Sequence, residues 1–518
     1  MEFGRGLTRM NADQKRKDSK GLEVIFYPIL FLIRVHSRKS AANLTLRPHP
    51  CKQNRGNWNL FLVIGVFMSK NRGSLYYSLA AGILALTVLG TTSDQKVSSA
   101  NAVTPVQQGA VCVAAQMNGR DIGAKINACD AQLGKARGII RLSGGGTIAT
   151  PVVISPNHTL QVVSGVYRAT NDGAVIRLKD DSSLICDSWD AVLQESTGKN
   201  DAGSVKPFVI VAAYNGSTLD APNGALTRNL VVKGCHFKGA RPDFDSTSQT
   251  VALANCHNCS ATNNWLDGTR TIGIQTGGGS ALGNFADNVI ISKNQFTTVA
   301  SQNIAVVNST NVQVTDNTIK SPGQANGPGV VPIDVEPNVG DRIVNIKIAN
   351  NLIDMTTTAI DASGVKALHG IAINNNNGAV PFTGVEVSGN KIYGANLNDP
   401  NNHISGGLIL LRQAQNTVVS NNTLRRGTYC ILLDAGSSKN TITGNQLSTC
   451  GSGSSEPIRI LDSSNNQFLD NKLWADPANF MDFNHLSRNI VELGTSNNNT
   501  FRGNDANITL IGRGSRKQ

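Results

Sequence analysis

The sequence predicts an all-β solenoid, and three observations carry that prediction. Asparagine is unevenly spread: of 56 in 518 residues, 15 fall in residues 1–250 and 41 in residues 251–518. Such a skew without low complexity points to a repeat with an asparagine at a fixed place. From about residue 229, a short alternating segment leads to an asparagine, and a large apolar residue usually follows two places later. The instances are NCSATNNWL, NVIISKNQF, NVQVTDNTI, NIKIANNLI, GVEVSGNKI, NTVVSNNTL, NTITGNQL, NNQFLDNKL and NNTFRGNDA. Their asparagines are Asn264, Asn294, Asn317, Asn351, Asn390, Asn422, Asn445, Asn471 and Asn504, spaced 23 to 39 residues apart. A further alternating segment (TIGIQ, NIAVV, PIDVE, GIAIN, GLILL, CILLD, PIRIL) precedes a motif, with apolar residues at period 2 and no 3.6 period between strands.

Composition removes the main alternatives. Charged residues are 16% and aromatics 5%, too few charges for a disordered polyelectrolyte, and the mix is wrong for a coiled coil. The net charge of +12 is localised: residues 1–102 hold 15 Lys+Arg and 5 Asp+Glu, the remaining 416 residues 32 and 30. The body of the chain therefore makes no global electrostatic case for nucleic acid.

Residues 1–67 read as a disordered upstream extension produced by a start placed too early. The alternative is a cytoplasmic extension ahead of an internal signal-anchor. Residues 68–102 read as a secretory signal: Met68, basic Lys70 and Arg72, the apolar run Leu79–Gly90, and small residues up to a cleavage after Ala102. The run is short for a membrane span, so no stable insertion is expected once the signal is removed. Export, to the periplasm, cell surface or medium, permits disulfides. Nine cysteines occur, and all but Cys51 lie beyond the signal. Cys112–Cys129 and Cys430–Cys450 are the expected pairs.

Residues 103–150 read as an N-terminal cap with first strands. Asp121–Lys135 forms a short amphipathic helix with Ile122, Ile126, Ala128 and Leu133 near one side, and GIIRLSGGGTI (138–148) is strand, glycine turn and strand. Residues 151–505 form the solenoid, and 506–518 a C-terminal tail. At each corner the asparagine is expected to take left-handed or bridge geometry and to bond its amide to the next coil. The apolar residue two places on fills the interior. Expected inward pairs include Ile272/Ile274, Ile304/Val306, Ile333/Val335, Ile371/Ile373, Leu408/Leu410 and Ile431/Leu433.

This repeat, with its capping helix and glycine-marked first strand, resembles the right-handed parallel β-helix of the pectate-lyase-like superfamily, which includes pectinases and phage tailspikes. The resemblance covers roughly residues 110–505. It implies a β-helix with a helical cap, and it leaves the chemistry open, because that superfamily hosts lyases, hydrolases, epimerases and non-enzymes. PIDVEPN (332–338) also resembles a G-I-D-x-E-P-N segment of bacterial β-helix proteins, with proline replacing the leading glycine.

Chemistry is sought in the outward columns. One column is expected to read Gly273, Ala305, Asp334, Ala372, Ile409, Leu432, Arg459, and the next Gln275, Val307, Glu336, Asn374, Leu411, Asp434, Leu461. Asp334 and Glu336 would then project side by side over an open floor of small residues. Two carboxyls so placed can hydrolyse a glycosidic bond. Alternatively they bind Ca²⁺ against a uronate while His369, Arg270 or Arg412 removes the C5 proton. The candidate catalytic residues are Asp334, Glu336 and His369. Arg270, Gln275, Asn374 and Arg412 are the candidate substrate contacts. No metal site and no cofactor is expected, Ca²⁺ entering only for a lyase. Cys235-His236 and Cys256-His257-Asn258-Cys259 have zinc-like spacing, but their slots in the repeat point in different directions, which favours buried thiols or a disulfide. Trp265 and Trp474 are expected in the core rather than as sugar platforms.

The leading reading is an exported enzyme cleaving an acidic or exopolysaccharide glycan. A non-catalytic glycan-binding or envelope protein and a uronate lyase or C5-epimerase are the alternatives. The expected partner is a polysaccharide and not nucleic acid, with trimers conceivable by the tailspike resemblance.

Overall fold

The computed structural model describes residues 67–71, 74–78, 109–170, 173–195, 208–213, 226–239, 249–269, 272–277, 285–299, 301–320, 331–357, 369–375, 382–394, 406–451, 456–474 and 488–518. In residues 1–101 the described elements are two strands, Phe67–Asn71 and Ser74–Ser78, paired antiparallel. The rest is a right-handed parallel β-helix, with three sheets of 16, 12 and 13 strands in which nearly every strand pairs with the equivalent strand of the next coil. Within a coil the chain runs through sheet 1 (for example Cys256–Thr262), then sheet 2 (Trp265–Asp267), then sheet 3 (Ile272–Thr276). Among the described residues, no helix is long and apolar enough to cross a membrane.

The asparagine column sits at the corner between sheets 1 and 2, and its amides form a ladder. Asn351 shows the unit. Its Nδ2 donates to Val314 O and to Asn390 Oδ1, both at 2.9 Å, while its Oδ1 accepts from the backbone N–H and the Nδ2 of Asn317, both at 3.0 Å. Side-chain bonds of 2.9–3.0 Å link Asn264 to Asn504 in this way. These amides are buried, so complete pairing is what makes the column tolerable. One expectation is corrected. The left-handed residue is not the ladder asparagine but the residue before it: Asn263, Lys293, Asp316, Asn350, Gly389, Asn421, Gly444, Asp470 and Gly503, with φ of 55–66°. The corner divides the work between a residue that bends and a residue that bonds.

Two places after each ladder asparagine from Asn264 to Asn471, Leu266, Phe296, Ile319, Ile353, Ile392, Leu424, Leu447 and Leu473 point inward and are fully or almost fully buried, as the repeat requires. The N-terminal end is closed by the helix Ile122–Leu133. Asp121 caps it by accepting from Gly123 N and Ala124 N. Ile126, Cys129 and Asp130 face the first coils, with Ile122 and Leu133 packed at the edge of the core, whereas Ala128 lies off that face. The buried Asp130 accepts from Ser155 N and Ser155 Oγ and lies 2.7 Å from His158 Nδ1.

Four disulfides form: Cys112–Cys129, Cys186–Cys235, Cys256–Cys259 and Cys430–Cys450. The first ties the helix to strand Ala110–Val113. Cys235 occupies the slot ahead of Asn264, whose Oδ1 accepts from Cys235 N at 3.0 Å, so the second disulfide stands where the ladder starts. Asn507–Thr509 and Arg516–Lys517 extend sheets 3 and 1 beyond the last ladder asparagine, and the buried Glu492 accepts from Asn499 Nδ2 and Ser515 Oγ at that end.

Candidate active site

Asp334 lies on the short sheet 3 strand Ile333–Val335. Ile333 and Val335 point inward with 0% exposure, so Asp334 faces outward, as the alternation requires. Its neighbours in register are Ala305 and Ala372. Beyond them the column departs from expectation. Gln275, not Gly273, pairs with Ala305, and Leu410, not Ile409, pairs with Ala372. The true column is therefore Gln275, Ala305, Asp334, Ala372, Leu410, Leu432, Arg459. The inward pair of its fifth strand is Ile409/Leu411 rather than Leu408/Leu410. In GLILL both faces are apolar, so alternation alone does not fix the register. In TIGIQT the second inward slot is a threonine, Thr276, bonded to Ser309 Oγ at 2.9 Å, and a polar inward residue hides the match.

The floor beside Asp334 is not open. Asp334 is only 4% exposed. Val331, Ala372 and Leu410 form a buried apolar cluster on this side, with Leu432 against it. Gln302 Nε2 donates to Asp334 Oδ2 at 2.6 Å, and Oδ1 has no donor among the described residues. Gln302 was not predicted. It is a polar residue at the start of one strand, and no pattern in the sequence marks it. Burial first, and then the Glu336 charge beside it, push the Asp334 carboxyl up to about 8, with the Gln302 bond opposing, and Asp334 and Glu336 are near enough to share a proton. Asp334 therefore holds its proton at neutral pH. Glu336, just past the strand, is half-buried, and its backbone N–H donates to Val306 O.

Arg412, not Leu411, pairs with Asn374, and Asp434 pairs with Arg412, so Asn374, Arg412 and Asp434 form a column on the Glu336 side of the sheet. Arg412 Nε lies 3.9 Å from Asp434 Oδ2. Gln275 belongs instead to the Asp334 column, two coils before it. The Oε1 of Gln275 and the Oδ1 of Asn374 are buried with no partner among the described residues. His369 stands at the entrance of the coil after Asp334, with Nδ1 3.3 Å from Gly407 O. Burial lowers its pKa to about 4, and the Arg412 charge adds to this, so the ring is neutral at pH 7. No described contact joins it to either carboxyl. Arg270 lies outside the described residues.

The zinc-like cysteines form the Cys186–Cys235 and Cys256–Cys259 disulfides, as their slots in the repeat favoured. One other expectation changes. Trp265 and Trp474 are not core residues. They flank the inward Leu266 and Leu473 on the outer face of sheet 2 and are half-buried. Trp265 stacks on His236 with ring centroids 3.9 Å apart, and the 38% exposed Trp189 lies 5.7 Å from it.

The chain matches no family model and no curated protein sequence. Among solved structures it is similar to the A-module of a mannuronan C-5 epimerase from Azotobacter vinelandii (12% identity, 79% of this chain and 95% of that one, TM-score 0.45). It is also similar to an exopolygalacturonase from Thermotoga maritima (12% identity, 71% and 92%, TM-score 0.45). A third likeness is the tailspike of E. coli bacteriophage HK620, solved with a pentasaccharide (14% identity, 70% and 65%, TM-score 0.42).

Proposed function

We propose that this chain is an exported polysaccharide-active protein that cleaves glycosidic bonds on the outer face of sheet 3, with Asp334 as proton donor and Glu336 as its carboxylate partner. The observation that carries the reading is the carboxyl pair: one member is buried and keeps its proton to about pH 8, and the other is partly exposed beside it. Glycosidases need this asymmetry, an acid for the leaving oxygen and a carboxylate for water or for the anomeric carbon. The two carboxyls are in contact, closer than the ~5–10 Å that separates such groups across a sugar. Substrate entry then requires Glu336, the outer member, to rotate away from Asp334. Gln275, Asn374 and Arg412 supply hydrogen bonds and a positive charge for an acidic glycan.

A second reading has its own support. The dry cluster of Val331, Ala372, Leu410 and Leu432 beside Asp334 suits a glycan-binding or envelope protein without catalysis. A lyase or C5-epimerase, with neutral His369 as base and Ca²⁺ on the carboxyls, is a third. The test compares the protein with Asp334→Asn/Glu336→Gln on a panel of acidic and neutral polysaccharides. New reducing ends are read in parallel with the ultraviolet absorbance of unsaturated uronates. Reducing ends without absorbance, lost in the variant and falling as pH rises through about 8, are the expected result. Absorbance that a chelator abolishes selects the lyase, and a folded protein silent on both channels selects the binding reading.

A further inference from the structure

A row of cations lies away from the carboxyl pair, on sheet 2; sheet 1 carries others of its own, Arg141, Lys233, Lys347 and Arg502. On the three-residue sheet 2 strands from His236–Lys238 to Lys472–Trp474 the middle residue points inward, which leaves two outward positions, and Arg168 continues one of them in register. Those positions carry Arg168, Lys238, Lys320, Lys391, Arg425 and Lys472, all in register along one sheet. Against these six cations stand two acids in the same positions, Asp267 and Asp354. All the cations are exposed except Arg425, which is half-buried. None of the six forms an ion pair among the described residues. The chain beyond residue 102 is nearly neutral, at 32 Lys+Arg to 30 Asp+Glu, so this stripe is a local concentration of charge. By contrast, the outer face of sheet 3 mixes Asp334, Glu336 and Asp434 with Arg412 and Arg459.

Aromatic rings stand among the cations. Trp265 follows Lys238 by one coil, Tyr393 shares a strand with Lys391, and Trp474 shares one with Lys472. Exposed Trp189 packs against Trp265 and donates from Nε1 to Asn263 O. Coils are spaced by about 4.8 Å. The cations recur every one to three coils, most often two, or roughly 10 Å. A coil is close to the length of one sugar residue in an extended chain, so the stripe meets a negative charge on about every second residue. Nucleic acid carries charge far more densely, at ~3.4 Å per strand. Indole and phenol faces suit the apolar side of a pyranose ring, and Gln295 at the rim offers hydrogen bonds to its hydroxyls.

We infer that the outer face of sheet 2 is a docking track for an anionic polysaccharide, separate from the carboxyl pair on sheet 3. It would hold the polymer along the helix axis by charge and ring stacking, whether or not sheet 3 cleaves it.

The test uses the full chain carrying Asp334→Asn/Glu336→Gln, so that turnover does not mimic weak binding. Affinity electrophoresis is run with polygalacturonate, neutral dextran and single-stranded DNA as probes, at low and moderate salt. The expected result is retardation by polygalacturonate, not by dextran, that weakens with salt. Adding Lys320→Glu/Lys391→Glu/Arg425→Glu weakens it about tenfold or more. A charge-matched control on the outer face of sheet 1, Lys233→Glu/Lys347→Glu/Arg502→Glu, leaves binding within about twofold of the parent. The inference is overturned if the triple variant binds as its parent does or the sheet 1 control loses as much. It also falls if dextran or DNA binds more tightly than polygalacturonate, or if polygalacturonate does not retard the parent at low salt. None of these outcomes depends on cleavage, so the catalytic reading stands or falls on its own assay.

Discussion

Two kinds of buried polar group run along this solenoid, and they are treated in opposite ways. At the corner between sheets 1 and 2, each ladder asparagine from Asn264 to Asn471 is bonded on both its amide hydrogens and its oxygen, coil after coil. On the outer face of sheet 3, Asp334 Oδ1, Gln275 Oε1 and Asn374 Oδ1 are buried without a partner among the described residues, as are both amide atoms of Asn303 and Arg459 Nε. A fold needs the first arrangement in every coil, because an unpaired amide there would be paid for in each repeat. The second gathers on sheet 3 and costs stability, which is the pattern expected of groups kept for a ligand or a proton. The difference separates what holds the helix together from what it is used for.

The largest effect is expected from breaking the ladder at its middle. Asn351→Ala removes the acceptor of two Asn317 hydrogens and the side-chain donor to Val314 O, and leaves Asn390 Oδ1 with only the backbone N–H of residue 351. We expect a loss of ~3–5 kcal/mol, read as a fall in the denaturation midpoint or as loss of soluble protein. A loss below ~1 kcal/mol would mean that water replaces the amide and that the column is not a structural spine.

How much of this was legible follows from the same contrast. The asparagine column and the inward residues two places on were readable, because the same residue type must return in every coil. The left-handed position one place earlier was not, because asparagine, glycine, lysine and aspartate all fill it and no single identity repeats. Asp334 and Glu336 were readable from the alternation of one strand. Their neighbours were not, because the apolar run around Leu410 and the inward Thr276 each conceal the register between coils. The burial of Asp334 was also hidden, since alternation gives the side of a sheet and not what covers it. The cations of sheet 2 sit one and three places after the ladder asparagines. They were open to the same alignment that found the inward residues between them, and Trp265 and Trp474 were misplaced for want of it.

An opposite sign is expected on sheet 3. The folded-state pKa of Asp334 is raised to about 8 from 3.8, so folding favours its protonated form. The stability this group allows is fully present below about pH 4 and is lost as pH rises through about 8. Asp334→Asn keeps the acceptor for Gln302 and removes the charge. It should therefore match the parent near pH 4 and exceed it by ~1–3 kcal/mol near pH 9, while abolishing any cleavage. Equal stability at both pH values would show that Asp334 ionises without penalty and would remove the basis for treating it as an acid held in reserve.

The smallest effect tests the junction between the two ways of securing a corner. Cys235 fills a ladder slot but is bonded to Cys186, 49 positions away in sequence. Removing the disulfide as Cys186→Ala/Cys235→Ala should cost ~4 kcal/mol if the constraint acts on the unfolded chain. In Cys186→Ala/Cys235→Asn the new amide can donate to Asn264 Oδ1, which already accepts from the backbone N–H of residue 235. By analogy with Asn264, whose Nδ2 donates to Val232 O, it can also reach the carbonyl of the preceding coil. The asparagine variant should be the more stable of the two by ~1–2 kcal/mol, because it gains hydrogen bonds to groups that are already in place. Two denaturation curves decide it. If asparagine gives no advantage over alanine, the slot at 235 is not a ladder position in energetic terms, and the first coils are held by cross-links because their corner geometry does not admit an amide.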